Sequence, residues 1–417
     1  MADLRTAFLR GLQDERDLVV ALCARLAATD SQNPPGDTHA IAEVCVAELS
    51  RIPGVEVRKV VGKEPMVNVV ARIAGTASGR RLVFNGHLDT GPVADAAQWS
   101  VPPFGGVVRD GRIYGRGVCD MKAGVTAGVR ALAALAEVRR EIRGEYVVTL
   151  VADEGSGARW GTRYLIENEP LSLGDAMISG DVGSPHVARF GEKGFLWLEI
   201  EAAGKSAGGA HTYLGVNAVE RLAKALAGLQ DLESIECPVP EALRSAIDAA
   251  APISEPMAGP GETETLKRIT VNVGLMQGGQ KINQVPSRAR ALVDIRFPPG
   301  LSRGEVVSQA AARLAQVPGI TLRELDGADP NWTDPWSEIV QAVQRNGHEI
   351  IGRRPAITLR HGFSDSRLYR LLGIPSVVYG ATPHNNNAPD EYVEIDDLMA
   401  VFRVHALTAY DFLSARS

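Results

Sequence analysis

Cysteine is scarce in this 417-residue chain, and the four present, Cys23, Cys45, Cys119 and Cys237, lie far apart with no CxxC pair. That scarcity excludes a disulfide framework and a structural zinc knuckle, and it predicts a reducing, cytoplasmic setting. Aromatic residues make up only 5%, too few for the base-stacking platforms of single-strand binders. No basic excess exists either. The 44 Lys and Arg face 50 Asp and Glu, a net charge of -6, and no basic run exceeds a pair such as Arg139 and Arg140, so nucleic acid is not an expected partner. Apolar runs approaching the ~18 residues of a membrane span are also missing. The first 28 residues carry acids and arginines throughout, so neither membrane insertion nor a secretory leader is expected.

What is present is enough apolar material, 45% of the chain, for about two to four domains with real cores. The 43 glycines follow no collagen period and mark turns and close backbone approaches. Helical spacing predicts helices over 12–28, 38–49 and 121–141, and strand-like runs occur at 55–60, 66–73, 80–86 and 146–152. Between them, 105–117 reads as a hairpin turning at Asp110 and Gly111. This alternation predicts an α/β domain with a mostly parallel central sheet. The middle of the chain changes character. Strand 195–204, helix 217–229, strands near 269–279 and 289–297, helix 302–317 and strand 320–326 give the order of a smaller two-layer α+β domain. The stretch 251–265, rich in Pro, Glu and Gly, reads as an exposed loop. A helix over 333–349, a buried strand at 375–381 and a closing helix over 395–412 return to the first pattern. The predicted organisation is therefore a discontinuous α/β domain, 1–191 and 328–417, interrupted by the smaller α+β domain over 192–327.

Several strands end in residues with chemistry. His87 and Asp89 follow the run 80–86, Asp153 and Glu154 follow 146–152, and Asp181 follows another short apolar run. Strand ends are where α/β sheets place ligands. Asp120 lies after a glycine-rich turn and before a strong helix, which suits either a helix N-cap or a ligand aimed into a pocket. One histidine with several carboxylates is a plausible divalent-metal set, with a spare carboxylate to take a proton from water.

The segments SQNPPGD, FNGHLDTGPV, GRGVCDMKAG, VTLVADEG, GQKINQVPSRARALVDIR and FSDSRLYRLLGIPSVVYGATPHNNNAPDEYVEIDDL together resemble peptidase family M20, the aminoacylase, deacetylase and carboxypeptidase group of metallohydrolases. The resemblance covers nearly the whole chain in order. It implies His87 as a metal ligand oriented by Asp89, Asp120 as the carboxylate that bridges two metals in dinuclear members, Asp181 as a further ligand and Glu154 as general base. It also implies a lid that mediates a homodimer, with Asn283 and Arg296 contacting the carboxylate of a small substrate or stabilising the transition state.

The chain departs from the family pattern at linked positions. Glu154 is followed by Gly155 where a second glutamate is usual, and Asn387 stands in the place of the histidine in His-x-Pro-x-Glu. Both missing groups belong to the same metal, so one divalent ion per subunit, Zn or Mn, is expected. His384 and His361 are candidates to fill the vacated space as ligands or substrate contacts. The resemblance also implies a lid histidine shortly after Gly-Lys that helps polarise the scissile group; here glycines follow Gly204 and Lys205 where it would stand, and His211, a few places later, is the candidate to replace it. These features imply a hydrolase of a C–N bond in a small carboxylate-bearing substrate, an N-acyl amino acid or dipeptide-like amide. Hydrolytic deamination of an amino-substituted acid, aromatic acids included, is the alternative within that class. A non-catalytic ligand-binding protein on the same scaffold is the alternative outside it.

Overall fold

Strands buried on both faces are continuously apolar, and Ala77–His87 shows why: from Leu82 to its end every residue is buried. A computed structural model describes the backbone from Ala2 to Ser414. In it, Ala77–His87 runs parallel to Arg143–Val151 on one side and to Ala176–Ser179 on the other. Ser376–Val378 adds a further parallel neighbour. The flanks are antiparallel: Met66–Ala74 pairs with Arg143–Val151, Glu56–Lys63 with Met66–Ala74, and Val378 with Arg189. The expected mostly parallel sheet is thus a mixed one, parallel only through its centre. Val83 faces a cluster of Val70, Val147, Val151, Leu165, Met177 and Tyr369. Phe84 points the other way, toward helices Ala123–Glu137 and Ile395–Ser414. Its ring lies 5.7 Å from that of His405, a fully buried histidine whose Nε2 donates to the Tyr379 carbonyl at 2.7 Å. Burial lowers His405 to about 4, so it is a neutral core residue.

The described chain divides into two compact units. One comprises the chain up to Phe190, Trp332–Thr358 and the chain from Ser364 onward; the other comprises Gly191–Asn331 and Leu359–Phe363. The second unit has a four-stranded antiparallel sheet in the order Thr270–Gly278, Arg288–Phe297, Gly194–Ala203, Ile320–Ala328. Alternate residues Leu196, Leu198, Ile200 and Ala202, with Ala291, Val293 and Ile295, are buried, as period-two patterning requires when helices cover one face. Those helices are Ala218–Gln230, capped by Asn217, and Arg303–Leu314, which starts in a capping box of Ser302 and Glu305.

Two local expectations are corrected. The stretch 251–265 is no loop: helix Glu241–Ala258 continues through Pro252 and Pro256, and Glu262–Lys267 forms another. Leu243, Ile247, Ala250 and Ser254 bury a stripe at helical spacing, and this burial outweighs the hydrogen bonds the prolines forfeit. At the N-terminus the helix expected over 12–28 is Arg16–Ala27, preceded by a separate helix Ala2–Gly11. Leu18, placed by spacing on its apolar stripe, is exposed, while Val19, Leu22, Cys23 and Leu26 are buried. The hairpin at 105–117 is observed. Asp110 and Gly111 link Val107–Arg109 to Arg112–Tyr114, both with positive φ, 53° and 75°, the two-residue turn that an Asp-Gly pair favours.

Tight packing makes the glycines unequal. A Cβ on Gly124 would lie 2.1 Å from the Gly180 carbonyl oxygen, whereas one on Gly228, inside Ala218–Gln230, would meet nothing within 4 Å. We expect Gly124→Ala to destabilise by about 1–3 kcal/mol or more and Gly228→Ala to stabilise by about 0.5–1 kcal/mol, read from urea unfolding. Lys193 supplies a pH signature in the second unit. It is buried, donates to the Thr265 and Arg268 carbonyls at 2.7 Å each, and is lowered by burial from 10.5 to about 7. Between those values the unfolded chain binds more protons than the folded one, so this group makes stability rise with pH across that window. Unfolding of Lys193→Met, measured at pH 7 and pH 9, should lack that rise.

Candidate metal centre

Parallel pairing brings strand ends together: two of them carry candidate ligands and a third carries the candidate base. His87 is the last residue of its strand and is in register with Val151, just before the Asp153–Glu154 turn. Asn85 pairs with Ser179, two residues before Asp181. Asp120 arrives from the other direction, on an irregular turn that opens at Gly117, φ 76°. A side chain at Gly117 is excluded because its Cβ would lie 2.0 Å from Thr90 Cγ2. Asp120 itself has φ -128° and ψ 89°, and helix Ala123–Glu137 starts three residues later without a side-chain cap. The N-cap alternative is therefore not realised.

One imidazole nitrogen from His87 and one carboxylate oxygen each from Asp120 and Asp181 lie within 4.8 Å of one another, the one such group of three or more among the described residues. His87 Nε2 is 2.9 Å from Asp120 Oδ1, and its Nδ1 is 2.8 Å from the Asp89 carbonyl. A carbonyl only accepts, so Nδ1 carries the proton and Nε2 is the atom offered to a cation. Burial lowers the His87 pKa, but the hydrogen bond and charge of Asp120, with Glu154 and Asp89, outweigh it and hold the ring well above 6.5. Borderline nitrogen and hard oxygen donors, fixed from three chain segments, fit a divalent cation such as Zn or Mn.

Glu154 stands beside this set. Burial raises its pKa well above the carboxylate range, and the charges of Asp365, Asp181 and Asp120 add to that against the opposing charge of His87. The preceding Asp153 takes φ 61°, a conformation Asp tolerates better than most residues. Its carboxylate accepts from the Trp160 and Gly161 N–H groups at 3.0 and 2.9 Å, fixing the turn that carries Glu154. The Asp89 carboxylate does not reach the ring as a hydrogen-bond partner, being 3.6 Å from His87 Nδ1. It accepts instead from the Glu154 and Gly155 N–H groups at 3.1 and 3.2 Å and from Asn33 Nδ2 at 2.9 Å. Only the backbone of Asp89 orients His87.

His384 and Asn387 are not in the metal trio. The His384 ring stacks on Tyr392, centroids 4.5 Å apart and planes within 1°. Exposed Asn387 has φ 59°, and its Oδ1 lies 2.9 Å from where a Gly91 Cβ would stand. Four more candidates fall in the second unit. His361 Nε2 donates to the Glu262 carbonyl at 3.1 Å. Exposed His211 folds back so that its Nδ1 is 3.3 Å from the Cβ position of Gly208. The Asn283 carbonyl accepts from Gly209 N–H at 2.7 Å, so the segments carrying His211 and Asn283 are joined. Arg296 gives its Nε and Nη2 to Asp294 at 2.7 and 3.0 Å, while Nη1 is buried without a partner among the described residues.

Sequence reading missed Asn33, Asp365 and Arg116. Asp365 is buried, accepts from Thr162 Oγ1 at 2.6 Å, and has an unpartnered Oδ1. Its signal was the acid in the short segment FSDS; Asn33 and Arg116 sat in segments already singled out, but nothing in their type marked their partners.

The sequence profile of Peptidase family M20/M25/M40 matches residues 83–411. Among curated proteins, the chain is 28% identical over 353 residues to a succinyl-diaminopimelate desuccinylase of Rhodospirillum centenum, covering 82% of this chain and 84% of that one. It is also 28% identical over 401 residues to a succinyl-diaminopimelate desuccinylase of Cereibacter sphaeroides, covering 92% and 97%. Among solved structures it resembles an M20 family metallo-carboxypeptidase of Sulfolobus solfataricus, with TM-score 0.76, 21% identity and coverage of 96% and 99%. It also resembles human carnosine dipeptidase 1, with TM-score 0.75, 18% identity and coverage of 99% and 98%.

The hydrogen bonds of Asp89 separate two roles for it. We expect Asp89→Asn to lower turnover about tenfold or more by loosening Glu154, while metal affinity changes little because the His87 partner is a backbone carbonyl. Metal titration beside steady-state kinetics checks this; a loss of affinity with unchanged turnover of the saturated protein would reverse the assignment.

Proposed function

The chain belongs to peptidase family M20/M25/M40 and is a metal-dependent hydrolase, and we propose that it cleaves a C–N bond in a small carboxylate-bearing substrate, an N-acyl amino acid or dipeptide-like amide. The observation that carries this reading is the convergence of His87, Asp120 and Asp181 beside Glu154, whose carboxyl burial pushes above its ordinary pKa. One Zn or Mn ion per subunit would be held by that trio, and when bound it supplies Lewis-acid activation of water and of the scissile group. The second set of ligands expected in dinuclear relatives is absent, since Gly155 offers no side chain and Asn387 only a neutral amide.

Glu154 accepts the proton of the attacking water and returns it to the leaving nitrogen. Its raised pKa suits both halves of that task, because a base that binds protons tightly takes one readily and still holds it for delivery. The backbone of Asp89 holds the His87 tautomer, and its carboxylate holds the Glu154 turn. In the second unit Arg296 receives the substrate carboxylate on Nη1, with one edge of its fork already taken by Asp294, and Asn283 and His211 meet charge developing on the scissile group. The return of the His211 ring to Gly208 supports its standing in for the displaced lid histidine. Exposed Tyr213, Leu214 and Ile282 beside it support a homodimer formed through this unit.

The names of the relatives, desuccinylase and dipeptidase, favour amide cleavage. One observation favours the deaminase reading: the Arg296 guanidinium lies 5.4 and 5.6 Å from the ring centroids of Phe195 and Phe363, with Trp197 edge-on to Phe363 at 6.1 Å. A carboxylate held on that arginine would have aromatic walls beside it. Turnover of N-acyl amino acids, dipeptides and amino-aromatic acids with Zn or Mn added distinguishes the two. In the same assay, Glu154→Gln should lower turnover by about 10²- to 10⁴-fold and retain one metal equivalent by elemental analysis. Retention of more than about a tenth of the rate would remove Glu154 as the base, and two equivalents in the unsubstituted protein would overturn the single-metal assignment.

A further inference from the structure

Resting on the metal-centre reading above, we propose that Glu391 is a positioning residue for Asp120, a buried carboxylate that clamps the backbone turn presenting this ligand. The segment from His384 to Tyr392 lacks the histidine its family pattern would supply, yet it is built closely into the first unit. Glu391 is 1% exposed. Its Oε1 accepts from Cys119 N–H at 3.0 Å, and its Oε2 accepts from Gly117 N–H at 3.2 Å and from Arg116 Nη1 at 3.3 Å. These donors bracket Val118 and end one residue short of Asp120, so a residue 271 positions later fixes the turn from outside.

Backbone hydrogen bonds from Val118 N–H to the Gly115 carbonyl at 3.1 Å and from Lys122 N–H to the Gly117 carbonyl at 3.0 Å also tie the turn, while its Gly117 and Cys119 N–H groups go to the Glu391 carboxylate. The turn is irregular, and Asp120 and Met121 depart from helical φ and ψ. Arg116 extends the clamp to the loop after His87: it is 4% exposed, with Nε donating to the Gly91 carbonyl at 2.8 Å and Nη2 to that of Pro92 at 2.7 Å. Lys122, also buried, donates to the Thr29 and Arg116 carbonyls at 2.8 and 3.0 Å. Glu391 thus ties the Asp120 turn and, through Arg116, the His87 loop to one point. All three of its partners are donors, so both carboxylate oxygens are needed. A glutamine would turn an N–H₂ group against one set of them, and an unsatisfied buried donor is costly. The same network gives the segment a task with asparagine at 387: its glutamate organises the turn that carries Asp120.

The test uses the full chain, stripped with a chelator and titrated with Mn²⁺ against a chromophoric competitor. Glu391→Gln should weaken binding about 10- to 100-fold, the range for partners that orient metal ligands, and should shift the visible absorption of the Co²⁺-saturated protein, which reports ligand geometry. Glu391→Asp, which keeps the charge but shortens its reach, should recover part of the affinity and move the Co²⁺ spectrum back toward that of the unsubstituted protein. If Glu391→Gln fails to fold by circular dichroism, Glu391→Asp carries the test, with weakened binding and a shifted spectrum expected. Unchanged affinity and spectrum in a folded variant would overturn the proposal while leaving the metal centre intact. Failure of the unsubstituted protein to bind Mn²⁺, Zn²⁺ or Co²⁺ would overturn the metal-centre reading and this inference with it.

Discussion

Parallel strand pairing is the constraint on which the candidate site depends. Neighbouring parallel strands end at the same edge of a sheet, and here the pairing of His87 with Val151 and of Asn85 with Ser179 sets three strand ends side by side. Residues separated by about a hundred positions then share one location without any direct sequence relation. The helices on either face follow from the same arrangement, because central parallel strands leave no face for water. Phe84 and Val83, adjacent in sequence, enter different cores.

That edge concentrates carboxylates. Asp89, Asp153 and Asp365 are buried around half-buried Glu154, and each charge must be compensated, neutralised or hydrogen-bonded. The protein uses all three solutions. Asp153 is held by backbone N–H groups and Asp89 by backbone N–H groups with the Asn33 amide, Glu154 is driven toward its protonated form, and Asp120 and Asp181 converge with His87. A cation relieves the remaining repulsion, which links binding in this centre to the charge balance of the residues around it.

Hydrogen bonds from distant segments then decide where those groups point. The Asp89 backbone sets His87 while its side chain sets the Glu154 turn, so one residue serves two neighbours through different atoms. Glu391 and Arg116 do the same for the turn before Asp120. In the second unit, a two-stranded pairing of Ala207–Gly208 with Gln284–Val285 joins the segments of Asn283 and His211, and the outer face of the strand Arg288–Phe297 places Arg296 beside Asp294.

Local periodicity and residue type made legible the α/β and α+β character, the Asp110–Gly111 hairpin, and His87, Asp120, Glu154 and Asp181 as candidates, of which the structure brings His87, Asp120 and Asp181 together. Each of these rests on neighbours in sequence or on chemistry intrinsic to the side chain. Helix Glu241–Ala258 was hidden because its prolines dominate the composition, whereas its buried stripe exists only once there is a core to receive it. Sequence likewise offered His384 as a ligand or substrate contact, and the folded chain stacks its ring on Tyr392. The roles of Asn33, Arg116 and Asp365, the antiparallel flanks of the sheet and the division of labour within Asp89 were decided by the folded chain alone, because a hydrogen bond depends on where its acceptor lies in space and residues tens to hundreds of positions apart become partners only after the strands have paired.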